Sequence, residues 1–229
     1  LAGTTHLLVS VPPDGQGAGD AALDHHASDI AQLADSLHWA GYLSTTGVYG
    51  NRDGGWVDET SELRPTSERS ARRVKAETAW RRLHDDRGVP MHTFRLAGIY
   101  GPGRGPFRAI REGTAKRIDL PEQKFGRIHV DDICQVLEAS IVRPRPGAIY
   151  NVSDDEPAAP ADVTAFACDL LGVDPPPLVP WEEAEMSAMA MTFWQDNKRV
   201  DNQRVHDELG VQFRYPTYRE GLRAVLDVE

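Results

Sequence analysis

Cysteine is scarce in this chain of 229 residues: there are two, Cys134 and Cys168, with no Cys-x-x-Cys spacing. That argues against a disulfide framework or a cysteine zinc site, and both thiols are expected to be free and buried on helices. No apolar run approaches the length needed to span a bilayer. The opening residues, LAGTTHLLVSVPPD, carry neither a basic leader nor an Ala-x-Ala-like cleavage site, so a soluble, cytoplasmic protein is expected. Basic charge is in deficit, with 25 Lys and Arg against 35 Asp and Glu and a net charge of -10. A nucleic-acid backbone or an anionic membrane is therefore a poor partner, and a small molecule a better one. No His-x-x-x-His or Cys/His cluster offers metal ligands, and the adjacent His25 and His26 face different sides of a helix, so no metal site is assigned. A Gly-x-Ser-x-Gly elbow for acyl transfer is also missing.

What remains is an alternation of strand and helix patterns. Thr5 to Val11 reads as a buried strand ended by Pro12 and Pro13. Ala21 to Trp39 has apolar residues at helical spacing (Leu23, Ile30, Leu33, Leu37), and Gly41 is expected to cap that helix. The stretch GYLSTTGVYG, Gly41 to Gly50, then reads as a strand with hydroxyls at its end. A helix over Glu68 to Asp86 and a strand over Met91 to Leu96 complete a strand–helix–strand–helix–strand order, which predicts right-handed crossovers and a parallel sheet. Further on, helices are expected at Asp131 to Val142, Pro160 to Leu171, Glu182 to Ala190 and Asn202 to Leu209, with a strand at Ala148 to Val152. Ligands of open parallel sheets sit beyond the carboxyl ends of the strands, which places Thr45 and Thr46 at the rim of a crevice.

The blocks YLSTTGVYG, WVDET, RPTSERSARRVKAE, FRLAGIYGPG, RIHVDDI and GAIYNVSDDEP, in that order, resemble the NAD-dependent epimerase/dehydratase family, the extended and atypical branch of the short-chain dehydrogenases/reductases. The resemblance implies an α/β fold: a Rossmann-like doubly wound parallel sheet over residues 1–100, and a smaller C-terminal α/β substrate lobe over 101–229 with some segments returning to the sheet. Thr5 to Val11 then corresponds to the family's fourth sheet strand, so the N-terminal strands are expected to be missing from this chain. The cofactor implied is NAD or NADP, bound only with that segment present. The stretch Gly15 to Asp20 imitates the family's Gly-x-Gly-x-x-Gly fingerprint, but its third glycine position is Asp20 and two prolines precede it. A homodimer through sheet-flanking helices is also implied.

The family's strand-end hydroxyl falls on Thr45, with Thr46 beside it. Its Tyr-x-x-x-Lys dyad falls on Arg69 and Arg73. A guanidinium stays protonated at any working pH and cannot exchange the proton, so the pair is expected to capture an anion. Lys75 lies about 200° further round the helix than Arg73 and is no substitute. Ala97, Gly98 and Ile99 match the stretch that runs beside the nicotinamide. Tyr49, Tyr100, Arg104, Arg127 and His129 are substrate-binding candidates, although the relatives' sugar-nucleotide arginine falls two residues before Arg127, on Phe125. Asn197, Lys198 and Arg199 read as a solvated surface. The resulting expectation is an NAD(P)-dependent epimerase/dehydratase-like oxidoreductase with an atypical active site, acting on a small molecule, sugar or sugar nucleotide. The alternative is a ligand-binding or regulatory protein that has lost hydride chemistry.

Overall fold

The computed structural model describes residues 1–13, 19–186 and 188–229, with 188 and 189 described by backbone alone. Along the chain run β1 (His6–Val9), α1 (Ala21–Gln32), β2 (Trp39–Thr45), β3 (Trp56–Val57), α2 (Glu68–Arg87), β4 (Met91–Leu96) and β5 (Gly98–Tyr100). Then come α3 (Phe107–Arg111), β6 (Arg117–Asp119), β7 (Arg127–His129), α4 (Val130–Val142), β8 (Ile149–Val152) and α5 (Pro160–Leu171). The last elements are β9 (Leu178–Pro180), α6 (Ala188–Trp194), β10 (Arg199–Val200), α7 (Gln203–Leu209) and α8 (Tyr218–Leu226). The main sheet is parallel in the order β1-β2-β4-β8, and its strands are joined by helical crossovers. Three separate two-stranded parallel sheets pair β10 with β3, β5 with β7 and β6 with β9.

The sheet is covered on both faces because its strands alternate apolar residues on both sides. Ala40, Tyr42 and Met91 pack with Leu23 and Ile30 of α1 and with Ala76 and Trp80 of α2. On the opposite face Trp39, Phe94, Leu96, Tyr150 and Val152 pack with Ile133 and Val136 of α4 and with Val205 and Leu209 of α7. This is the two-sided burial of a doubly wound α/β fold. A third cluster, including Phe107, Val163, Tyr218 and Leu222, ties α3, α5 and α8 into a smaller unit.

Several elements differ from the sequence reading. The strand expected as buried over Thr5 to Val11 is His6–Val9, with His6 and Leu8 exposed because β1 is the edge strand of the main sheet. The helix expected to reach Trp39 stops at Gln32, and Trp39 opens β2. Gly41 is no cap: it lies inside β2, where a Cβ would meet the Trp39 indole at 2.2 Å, so the glycine makes room for that ring. The segment Glu182 to Ala190 is not one helix, since a 3-10 turn over Trp181–Glu183 precedes α6. Cys168 is buried and free as expected, but Cys134 is exposed on α4. The Gly15 to Ala18 part of the imitated fingerprint lies outside the described residues. No helix among the described residues is long and apolar enough to cross a membrane.

His92 in β4 gives the fold a pH dependence. It is buried, accepts from the Arg145 backbone N–H at Nε2 (2.8 Å) and faces the Ala40 carbonyl with Nδ1 (3.2 Å). Only the neutral ring protonated on Nδ1 satisfies both. Burial holds its pKa below the ordinary histidine value of 6.5. Below pH ~6.5 the unfolded chain therefore takes up a proton that the folded chain refuses, so His92's share of stability is complete above that pH and falls as the solution is acidified. Urea midpoints measured from pH 7.5 to 5 are expected to fall in the wild type and to fall less in H92Q. The difference in slope is limited to about 1.4 kcal/mol per pH unit.

Candidate ligand cleft

A cavity of about 790 Å³ lies beyond the carboxyl ends of β1, β2 and β4, where the sheet meets the smaller unit. Ser44 and Thr45 at the end of β2, Leu96 and Ala97 at the end of β4, and Ser10 after β1 line it. Its other walls come from the first turns of α2, the Gly101 to Pro106 loop, the Lys124–Arg127 segment, and α6 with the strand that follows it.

Thr45 is placed by its own chemistry. Its side-chain oxygen accepts from the Gly47 N–H (3.1 Å) and caps a 3-10 turn over Thr46–Tyr49. That uses a lone pair and leaves the hydroxyl hydrogen to donate into the cavity. Thr46 lines the cavity beside it. A Cβ at Gly47 would come within 3.0 Å of Ser70 Oγ, so a small residue there lets α2 approach β2.

Helix α2 is capped by Ser67, which accepts from the Ser70 N–H (3.2 Å). Its buried residues Ser70, Ala76, Glu77 and Trp80 fix the helix's rotation, and that rotation sets Arg69 and Arg73 along the cavity. Arg73 is half-buried and anchored from one side: Nη1 donates to Tyr42 Oη (3.0 Å) and to the Leu43 carbonyl (2.8 Å), with the guanidinium 5.6 Å from the Tyr42 ring centre. Its Nε and Nη2 donors have no acceptor among the described residues. Burial pushes the Tyr42 phenol up to about 12, although the adjacent Arg73 charge opposes the rise, so the phenol stays protonated. Arg69 is exposed, with its guanidinium 6.0 Å from the Phe193 ring. Among the described residues, no carboxylate lies within ion-pair distance of Arg69, Arg73, Arg104 or Arg127.

Ala97, Gly98 and Ile99 form one wall of small side chains and backbone. Gly98 is exposed, its N–H donates to the Gly126 carbonyl (3.1 Å), and a Cβ there would close to 3.2 Å on that oxygen. Arg104 sits at a tight bridge with Gly101 and reaches the cavity from the loop. Arg127 lines the cavity, its Nη1 held by the Phe125 (2.9 Å) and Ala158 (3.1 Å) carbonyls, to which it donates. Tyr100 contributes its ring while its hydroxyl is sealed against α8, where a Cβ at Gly221 would lie 1.9 Å from Oη. Burial raises its pKa further above the ordinary tyrosine value.

Two candidates are corrected. Tyr49 is fully buried in the core, donating to Asn151 Oδ1 (2.7 Å) and accepting from Arg95 Nη1 (2.8 Å), so it does not face the cavity. His129 is also buried, and its Nδ1 accepts from the Asp131 N–H (3.2 Å) to cap α4. Both follow or end strands, but a strand end fixes only the residue's position and not the side of the sheet it takes.

Lys198, read from sequence as solvated surface with Asn197 and Arg199, lines the cavity instead together with Asp196, and the side chains of Lys198 and Asp196 are each only 11% exposed. Lys198 and Val200 share one side of the chain leading into β10 and turn to the cavity, while Arg199 turns to the Gly54 carbonyl; which side faces inward is set by distant loops. The described lining thus holds Arg69, Arg73, Arg104, Lys124, Arg127 and Lys198 against the single acid Asp196, in a chain of net charge -10. A low-dielectric cleft with that balance attracts anions.

No family model matches the chain. It is 51% identical to a functionally unknown conserved protein from Silicibacter pomeroyi DSS of known structure, covering 99% of this chain and 79% of that one with a TM-score of 0.94. It is 29% identical to Protein YeeZ of Escherichia coli K12 over 92% of this chain and 71% of YeeZ. Against dTDP-glucose 4,6-dehydratase of Xanthomonas campestris it is 25% identical over 81% of this chain, and it spans 56% of that enzyme. The structure of dTDP-glucose 4,6-dehydratase from Bacillus anthracis in complex with NAD superposes with a TM-score of 0.76 at 18% identity, over 98% of this chain and 72% of that one.

Proposed function

We propose, for a chain that belongs to the NAD-dependent epimerase/dehydratase family, that its cleft binds an anionic small molecule for NAD(P)-dependent oxidoreduction, with charge capture at the positions where relatives shuttle a proton. The observation that carries this is the convergence of Thr45, Arg69 and Arg73 on one cavity at the carboxyl edge of the sheet. The Ala97–Ile99 wall fits the nicotinamide half of the dinucleotide, because an exposed backbone without large side chains lets a flat ring approach. When bound, that ring supplies or accepts a hydride. Thr45 donates its hydroxyl hydrogen to a ligand oxygen, and the free donors of Arg73, with Arg69, hold the ligand's carboxylate or phosphate. Neither guanidinium moves a proton. Phe125, at the position of the relatives' phosphate-binding arginine, speaks for a ligand smaller than a sugar nucleotide.

A second reading follows from the same two arginines: a ligand-binding protein without hydride chemistry. Fluorescence titration with NADH and NADPH separates the two. Enhanced nucleotide emission on adding protein is the expected result. No change with either nucleotide, alongside undiminished anion binding, would replace oxidoreduction by ligand binding alone.

A further inference from the structure

The segment Asp196 to Arg199 is bolted into place on both sides. Asn197 accepts from the Lys124 N–H (3.2 Å) and donates to the Glu122 carbonyl (3.0 Å) through its amide. Its backbone N–H donates to Asn51 Oδ1 (2.9 Å), and its carbonyl accepts from the N–H groups of Arg52 (2.9 Å) and Gly54 (3.0 Å). The Arg199 N–H donates to the Gly55 carbonyl (2.9 Å) as β10 pairs with β3. Between these anchors Lys198 has one direction left, into the cavity. Its ammonium donates to Asp196 Oδ2 at 3.3 Å, and its other two N–H donors have no acceptor among the described residues. Asp196 Oδ1 is already occupied by Thr66 Oγ1 (2.6 Å), and Thr66 lies three residues before Arg69 at the start of α2.

An ammonium that lines a cavity and has a single acceptor among the described residues keeps two donors for a bound ligand. The other phenols of the cavity do not fill such a role: Tyr100 is sealed by Gly221, and Tyr218 is buried. We propose that Lys198, held by Asp196, is a ligand-binding amine that takes a carbonyl or hydroxyl oxygen of the cleft's anionic ligand. The ligand class is then a small phosphorylated or carboxylated aldehyde, ketone or alcohol. The ammonium donates to the ligand's oxygen, and Asp196 offers its carboxylate to a hydroxyl hydrogen when one is there. Burial also pulls Lys198 below the usual lysine range, against the opposing pull of Asp196, which leaves more of the free amine at neutral pH. This inference rests on the anion-binding reading of the cleft.

Pyridoxal 5'-phosphate tests it, because the probe joins an aldehyde to a phosphate. The Lys198 amine adds to the aldehyde carbon, water leaves, and borohydride reduces the imine to a stable amine that peptide mass spectrometry locates. Among the chain's four lysines, Lys75, Lys116, Lys124 and Lys198, Lys198 is expected to label at least ten times faster than Lys75 and Lys116, and excess inorganic phosphate is expected to suppress it. Labelling of Lys198 no faster than those two would overturn the proposal. Parallel labelling with pyridoxal, which lacks the phosphate, separates the two ideas. If Lys198 stays preferred with both probes and R69Q/R73Q changes neither rate, the amine stands and the anion-binding reading falls. If R69Q/R73Q slows the phosphorylated probe alone, both stand.

Discussion

Replacing Glu77 with alanine is expected to destabilise the protein by about 3–5 kcal/mol, a large fraction of the total stability of a typical domain. Glu77 lies on the inner face of α2 and Arg95 on β4, with side chains 7% and 3% exposed. The carboxylate accepts from Arg95 Nη2 (2.8 Å) and Nε (3.2 Å) and from the Ser44 hydroxyl. Arg95 in turn donates to Tyr49 Oη, and Tyr49 to Asn151, whose amide reaches the Asp201 carbonyl (3.0 Å). The network thus ties α2 to β2, β4 and β8. Removing the carboxylate leaves a guanidinium buried without its counter-charge, which costs far more than the pair contributes as a whole. The double variant E77L/R95M, which removes both charges, is accordingly expected to be more stable than E77A. Urea denaturation reads both. A shift under about 1 kcal/mol for E77A would show that solvent reaches Arg95.

The second large effect is on binding. R69Q/R73Q is expected to weaken the affinity for inorganic phosphate about 100-fold by isothermal titration. A hydrogen bond to a charged group contributes about 1.5–3 kcal/mol, and each 1.4 kcal/mol is a factor of ten. Most of the loss should appear in R73Q, because Arg73 is half-buried and held by Tyr42 and Leu43 in a single orientation. Arg69 is exposed and screened by salt, so R69Q alone should weaken binding only a few-fold at moderate ionic strength. Unchanged affinity in the double variant would remove the anion from the proposed function.

The parallel sheet and most of its helices are legible because their residues repeat at two plain periods, and the ordered motif blocks carry the resemblance to the epimerase/dehydratase family. Local pattern misled where a tertiary neighbour decided. Gly41 looks like a cap until the Trp39 ring that fills its missing side chain is seen. Tyr49 follows a hydroxyl strand, the position of a ligand-facing residue, yet the buried charge of Arg95 draws it into the core. Cys134 was expected inside because free thiols usually are, but it lies on the outer side of α4. Thr45, Arg69 and Arg73 share the cavity because the strand end and the helix face are set by local geometry that sequence spacing carries. Lys198 was hidden for the opposite reason. Its inward direction depends on hydrogen bonds from Asn197 to loops more than 70 residues away in sequence, and nothing local in a run of polar residues announces that clamp.

Side-chain NMR on arginine and threonine tests the central placement most directly. The protein is labelled so that the Nε–Hε signals of Arg69 and Arg73, assigned through R69Q and R73Q, and the Thr45 methyl are followed during a phosphate titration at constant ionic strength. All three should move together with one dissociation constant, since one anion in one cavity perturbs them all. Signals that stay still while exposed arginines such as Arg108 respond would mean that phosphate meets the protein elsewhere, and the anion-binding cleft would be wrong.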